Sequence, residues 1–194
     1  SDPNVSTQDP IPVTLTRNMA KIAYDISVDA QEDIRLQSVQ ICSIPTTSSL
    51  FSKEPSKEAS DYRNDLIEHI SAASATHWAG IAYVPENLQG TVSTITNQHD
   101  KDAQHAPDHA TFLMMRATVG ERILDYRVYL GENETSDFNV RRNSHHTLDI
   151  VIKGTDQVDT RVHGYTVSLQ DTFSNFMLGD YYLLQDTPRT ITLT

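Results

Sequence analysis

Apolar and polar residues alternate along much of this chain, and the phase of that alternation predicts most of its elements. Ala20, Ile22, Tyr24, Ile26 and Val28 share one phase, against Lys21, Asp25, Ser27 and Asp29 in the other, which predicts a strand with one face on a core and one in water. Ile34 and Leu36 lie in one phase but Val39 and Ile41 in the other, so the second strand carries a bulge or passes between sheets. Residues 78–84 read as a strand ended by Pro85, which removes a ladder donor, and Gly90 permits a turn. Leu113, Met115, Ala117 and Val119, the short Gly120-Glu121 connection, and Leu124, Tyr126, Val128 and Leu130 form a hairpin pattern whose arms are expected to be central. His146, Leu148, Ile150 and Ile152 predict a strand stopping at Gly154, and β-like pieces follow at 165–169 and 191–193.

Residues 53–74 are the one helical candidate, because Tyr62, Leu66, Ile70 and Ala73 recur at helical spacing; a long loop with one short helix is the alternative. Residues 97–109 read as an exposed loop and 131–142 as a polar connection. Eight to ten short strands joined by turns predict an all-β fold, a two-sheet antiparallel sandwich with one short helix or long loop inserted; an open barrel is the alternative. Residues 1–12, with three prolines, read as an extended arm or linker remnant, 13–163 as the sandwich, and 164–194 as C-terminal strands that complete it or are exchanged with a neighbour.

Charge narrows the partners. With 15 basic against 26 acidic residues and a net charge of −11, the chain lacks the clustered Lys and Arg that nucleic acid or an anionic membrane requires. No apolar run approaches the roughly 18 residues of a membrane-spanning helix. The single Cys42, in the apolar run Val39-Gln40-Ile41-Cys42, reads as a small buried hydrophobe with no disulfide partner.

The richest chemical cluster is the loop carrying His99, His105 and His109 with Asp100, Asp102 and Asp108, a set that suits zinc in kind but lacks a rigid frame. A solvated loop is the preferred reading, and a metal-dependent hydrolase using those three imidazoles is the least favoured function. Adjacent His145 and His146 point to opposite faces of a strand, one toward the core and one exposed. No Gly-x-Ser-x-Gly elbow and no glycine-rich phosphate loop is present, so no catalytic residue and no cofactor are assigned.

Three segments bring in a resemblance. They are Leu15-Thr16-Arg17-Asn18-Met19-Ala20-Lys21-Ile22, then Tyr83-Val84-Pro85-Glu86-Asn87-Leu88-Gln89-Gly90, then Tyr126-Arg127-Val128-Tyr129-Leu130-Gly131 leading to Asp137-Phe138-Asn139-Val140-Arg141-Arg142-Asn143. In order and spacing the chain resembles the Bacteroidales fimbrillin-like superfamily, the motif positions being Arg17, Ala20, Lys21, Pro85, Glu86, Asn87, Gly90, Tyr126, Gly131, Asp137, Asn139, Arg142 and Asn143. The resemblance implies a transthyretin-like β-sandwich, export to the cell surface or outer membrane as a lipoprotein, and membrane contact only through a lipid anchor not found in this chain. It also implies assembly into a fimbria, at stalk or tip, by strand exchange with other fimbrial subunits or copies of itself, and contact with a host or bacterial surface receptor. An extended, alternating segment makes a good donor, and Ile191 and Leu193 share a face, so residues 189–194 are the expected exchange strand. A carbohydrate-binding β-sandwich surface module is the alternative.

Overall fold

The computed structural model describes residues 16–29, 32–51, 54–71, 75–155 and 162–166. Ten strands lie among them: β1 (Met19–Val28), β2 (Arg35–Pro45), β3 (Tyr62–His69), β4 (His77–Pro85), β5 (Asn87–Thr91), β6 (Phe112–Val119), β7 (Arg122–Tyr129), β8 (Asp137–Val140), β9 (His145–Ile152) and β10 (Val162–Thr166). They form a three-stranded sheet β4-β1-β9, a five-stranded antiparallel sheet β10-β7-β6-β2-β3, and a two-stranded ribbon β5-β8. The fold is an all-β sandwich, as the alternation predicts. One pairing departs from the antiparallel rule: β9 runs parallel to β1.

The two larger sheets face one another across a single apolar layer. Ala20, Ile22, Tyr24 and Ile26 of β1 meet Val39 and Ile41 of β2, Leu113, Met115 and Ala117 of β6, and Leu124 and Tyr126 of β7. These are the in-phase positions, and full burial of each large aliphatic side chain contributes about 1.5–3 kcal/mol. The bulge expected in β2 lies between Leu36 and Ser38 of its pairing with β6, and moves Val39 and Ile41 onto the core face. Cys42 is buried, 2 % exposed.

Three expectations fail for physical reasons. The helical candidate at 53–74 contains strand β3, preceded by a short 3-10 turn at Ala59–Asp61. Tyr62, Leu66 and Ile70 are four apart, and four residues are two strand repeats as well as about one helical turn. The open edge of β2 decides between them by supplying the pairing. The connection at 131–142 contains β8, all four residues of which are buried. Its polar Asp137 and Asn139 satisfy one another, so their polarity did not mark solvent. Gly90, expected to permit a turn, instead lies within β5 at φ +86, where the pairing with β8 shifts register.

A second, smaller core lies beneath the loop at 97–109. Ile95, Ala110, Tyr129 and Phe138 pack there, with Phe112 against them. That loop is not wholly exposed either, because Lys101 and Asp102 are buried.

Candidate functional site

The two sides of the sandwich differ. On one side β4 is tied to β3, where the Trp78 indole N–H donates to Glu68 Oε2 at 2.8 Å. On the other side the three-stranded sheet ends at β9, while the five-stranded sheet continues past β7 to β10. A groove of about 1120 Å³ opens there, between β9 and β7. Its apolar floor is Met115, Tyr126, Val128, Leu148, Ile150 and Ile152. Val128, Leu148 and Ile150 are only partly buried although they lie on core-facing positions.

Two hydrogen bonds join the sheets at the groove's ends. His146 Nδ1 lies 3.2 Å from the Gly131 carbonyl oxygen, and the Tyr126 hydroxyl donates to the Gly154 carbonyl at 3.0 Å. Between His146 and Gly154 the chain advances eight residues, about 26 Å at a strand rise of roughly 3.3 Å. At the His146 end the wall is polar, with His99, Lys101 and Asn133. Burial lowers the His146 pKa, opposed by its bond to Gly131 and by Glu132 and Asp137.

Backbone hydrogen bonding identifies which groups of β9 face the groove's open side. The Lys21 N–H donates to the Ser144 carbonyl and the Asp29 N–H to the Ile152 carbonyl, in a register pairing Lys21 with His145 and Val28 with Ile152. In a parallel pair such bonds fall on alternate residues. Hence the even-numbered residues of β9 turn their N–H and C=O groups toward β1, while His145, Thr147, Asp149 and Val151 turn theirs outward. Among the described residues no strand pairs with that edge. The same four side chains lie on the exposed outer face.

Most of the motif positions collect at the His146 end of the sandwich, where they act on the chain itself, while Tyr126 bonds to Gly154 at the other end of the groove. Arg17 Nε donates to Asn143 Oδ1 at 3.1 Å, and the Asn143 N–H donates to the Met19 carbonyl. Ala20 is buried in the core, the Lys21 N–H holds Ser144, and Pro85 pairs with Met19. Glu86 receives the Arg142 guanidinium at 2.8 Å and the Arg142 N–H at 3.2 Å, which ties the β4–β5 junction to the segment before β9. The Asn87 side-chain amide donates to the His109 carbonyl and to the Thr111 hydroxyl, and the Gly90 N–H donates to Asn139 Oδ1.

Asp137 is the hub of this clasp. Its carboxylate accepts from the Glu132 N–H at 2.8 Å, from the Asn139 N–H at 2.9 Å, from the Asn139 side-chain amide at 2.7 Å and from the Thr91 hydroxyl at 3.3 Å. Burial pushes its carboxyl pKa up, but those donors outweigh burial and hold it below the usual range. Lys101, which sequence reasoning passed over, reaches in to donate to the Asn133 carbonyl at 2.7 Å, with its ammonium 5.1 Å from the centre of the Phe138 ring. Burial pushes its amine down to about 8, against the pull of Asp137 and Glu134. A Cβ on Gly131 would collide with the Asp137 carbonyl and approach the Lys101 ammonium, so that position requires glycine.

The three imidazoles of the 97–109 loop have separate surroundings. His99 is exposed. His105 Nδ1 lies 2.8 Å from Asp102 Oδ1, an oxygen that also accepts the backbone N–H groups of Gln104 and His105. The His109 ring stacks on Tyr62 with centroids 4.4 Å apart, and its Nε2 donates to the Lys57 carbonyl. Among the described residues no group of three or more His, Cys, Asp or Glu side chains is placed to hold a metal ion. The expected exchange residues Ile191 and Leu193 lie outside the described residues.

Residues 82–150 match a domain of unknown function, DUF4906. The match runs from the end of β4 to most of β9, and so includes the clasp from Pro85 to Asn143 and the groove edge at Thr147 and Asp149. No curated protein and no solved structure matches the chain.

Proposed function

We propose that this chain is a structural or adhesive subunit of a bacterial cell-surface fimbria, and that the groove beside β9 accepts an extended strand from a neighbouring subunit. The observation that carries this reading is the edge of β9, unpaired among the described residues, above an apolar floor. An added strand would receive hydrogen bonds from the outward groups of Thr147, Asp149 and Val151 and cover Val128, Leu148 and Ile150. The resemblance of the motif segments to the Bacteroidales fimbrillin-like superfamily supports the same reading, including export to the cell surface. The clasp formed by the motif residues then serves the scaffold, fixing the segment before β9 so that the edge is held in place.

Proline at an outward-facing position tests this directly. Asp149→Pro removes an N–H that points away from β1, so the sandwich should remain folded while concentration-dependent self-association in sedimentation velocity disappears. Leu148→Pro, whose N–H faces β1, should instead destabilise the sheet. Unchanged association in folded Asp149→Pro would defeat the reading. Immunogold labelling of intact cells tests the fimbrial part: label along filaments or at their ends is expected, and purely intracellular label would contradict it.

One observation favours carbohydrate binding as a second reading. Tyr83 is 58 % exposed on the outer face of β4, next to Lys21 on β1, with His145 beyond it on β9. An exposed ring beside hydrogen-bonding groups suits sugar stacking. If glycan-array binding is found and Tyr83→Ala leaves it intact, that surface is not the site.

A further inference from the structure

We infer that the outer face of the three-stranded sheet binds a glycan through one acidic sugar, whose ring lies on Tyr83 and whose carboxylate meets Lys21 and His145. The inference rests on the carbohydrate reading above and adds the class of sugar, its orientation and what the face excludes.

Strand register assembles this face row by row, because the odd-numbered residues of β4, β1 and β9 all point outward. Tyr83, Lys21 and His145 form one row, Ile81, Ala23 and Thr147 the next, and Ala79, Asp25 and Asp149 the third. Tyr83 is 58 % exposed and Ile81 54 %, so an aromatic ring and a branched aliphatic side chain stand together in solvent. A sugar's apolar face can lie on such a ring. Lys21 and His145 rise from adjacent strands, roughly 4.8 Å apart, so both reach one acidic group held beside Tyr83.

Both cationic groups are available for that acid. Arg116, Arg141 and Arg142 are held by Asp125, Glu132 and Glu86. The side chains of Lys21 and His145 have no such partner among the described residues. The backbone of this row cannot serve instead, since the Lys21 N–H is spent on the Ser144 carbonyl. In a chain of net charge −11, two unpaired cationic side chains flanking an exposed ring select an anionic group at that end of the sheet.

The third row limits the charge of the ligand. Asp25 and Asp149 lie side by side, four residues along the strands from Lys21 and His145, which is roughly 13 Å. His77 Nε2 lies 2.9 Å from Asp25 Oδ1, and Asp149 has no partner among the described residues. A repeating polyanion laid along β1 would set its next acidic groups over these carboxylates and be repelled. A glycan with one acidic sugar avoids them, and its neutral remainder has Ile81 and Ala23 to lie on. The face therefore takes a single carboxylate and rejects a polysulfated chain.

Calorimetric titration of the full chain with four probes tests this: sialyllactose, a glucuronate-terminated disaccharide, lactose and a heparin oligosaccharide. One or both of the carboxylated probes should bind about tenfold tighter than lactose, the factor that two exposed charge contacts supply, and heparin should bind no tighter than lactose. Lys21→Met combined with His145→Gln should bring the carboxylated probes down to lactose while leaving lactose unchanged, and Lys21→Arg should keep the preference. Tyr83→Ala should remove binding of every probe. All of these side chains point outward, so urea midpoints close to wild type are expected and identify the folded variants. Equal affinity for lactose and the carboxylated probes, or tighter binding of heparin, overturns the acidic-sugar assignment and leaves the carbohydrate reading standing. A preference that survives in the folded double variant overturns it too, by placing the acid elsewhere. If none of the four probes binds, both fall, and self-association lost in Tyr83→Ala would then assign the face to a second copy.

Discussion

Removing the Asp137 carboxylate should unfold the clasp that sets the start of β9. In Asp137→Ala the N–H of Glu132 and both the backbone and side-chain N–H groups of Asn139 lose their acceptor. Glu132 lies at the surface end of its loop and its N–H can turn to water, and the Thr91 hydroxyl rotates freely. Asn139 is 6 % exposed, so its two donors carry most of the loss. At about 1–3 kcal/mol for each buried donor left unsatisfied, the expected destabilisation is about 3–5 kcal/mol. Domains are stable by roughly 5–15 kcal/mol, so this is a large fraction of the whole. Urea unfolding followed by Trp78 fluorescence and circular dichroism should show the midpoint fall with an unchanged slope, and Asp137→Asn, which keeps one acceptor oxygen, should lose less. The pH dependence has a definite sign. The carboxyl is held below its usual range in the folded state, so its contribution is complete above about pH 4, the ordinary Asp value, and fades as pH falls through the folded value. The gap between wild type and Asp137→Ala should therefore narrow below about pH 4. A loss under about 1 kcal/mol at pH 7, or a gap that persists in acid, would refute the assignment of Asp137 as the hub.

Gly131→Ala places a methyl against the Asp137 carbonyl, and a destabilisation of more than about 2 kcal/mol in urea unfolding is expected; a neutral effect would mean that the 131–136 loop yields easily. Lys101, with its amine pushed down to about 8, predicts a pH trend of the same sign as Asp137, stability rising with pH, but in the alkaline range. The unfolded chain keeps that proton to about pH 10.4, so between about pH 8 and 10 the unfolded state binds more protons and wild-type stability should rise relative to Lys101→Met. Parallel urea midpoints for the two proteins across that range would contradict this.

The sandwich was legible because its core positions are simple. Ile22, Tyr24 and Ile26, or Leu113, Met115 and Ala117, each face one layer, and a period of two leaves little else for them to form. Even the phase break between Leu36 and Val39 reported a real bulge. β3 was misread because spacing by four fits a strand face as well as a helix, and only pairing with β2 separates them. β8 was missed because Asp137 and Asn139 look like a solvated turn when their mutual hydrogen bonds are unknown. The motif residues were recognisable one by one, but their convergence on a clasp depends on pairs as distant as Arg17 with Asn143 and Glu86 with Arg142. The groove left no local signal at all. The alternation of His146 to Ile152 predicts a strand, yet whether that strand has one neighbour or two is set by the sheet order.

The most direct test of the account is amide hydrogen exchange along β9, compared between dilute, dissociated protein and the associated form. In dilute protein the amides of His146, Leu148 and Ile150, bonded to β1, should be protected, while those of Thr147, Asp149 and Val151 exchange rapidly; on association the latter three should become protected together. Protection of Thr147, Asp149 and Val151 already present at the lowest concentration, or absent in the associated form, would contradict an edge that is completed by a neighbour's strand.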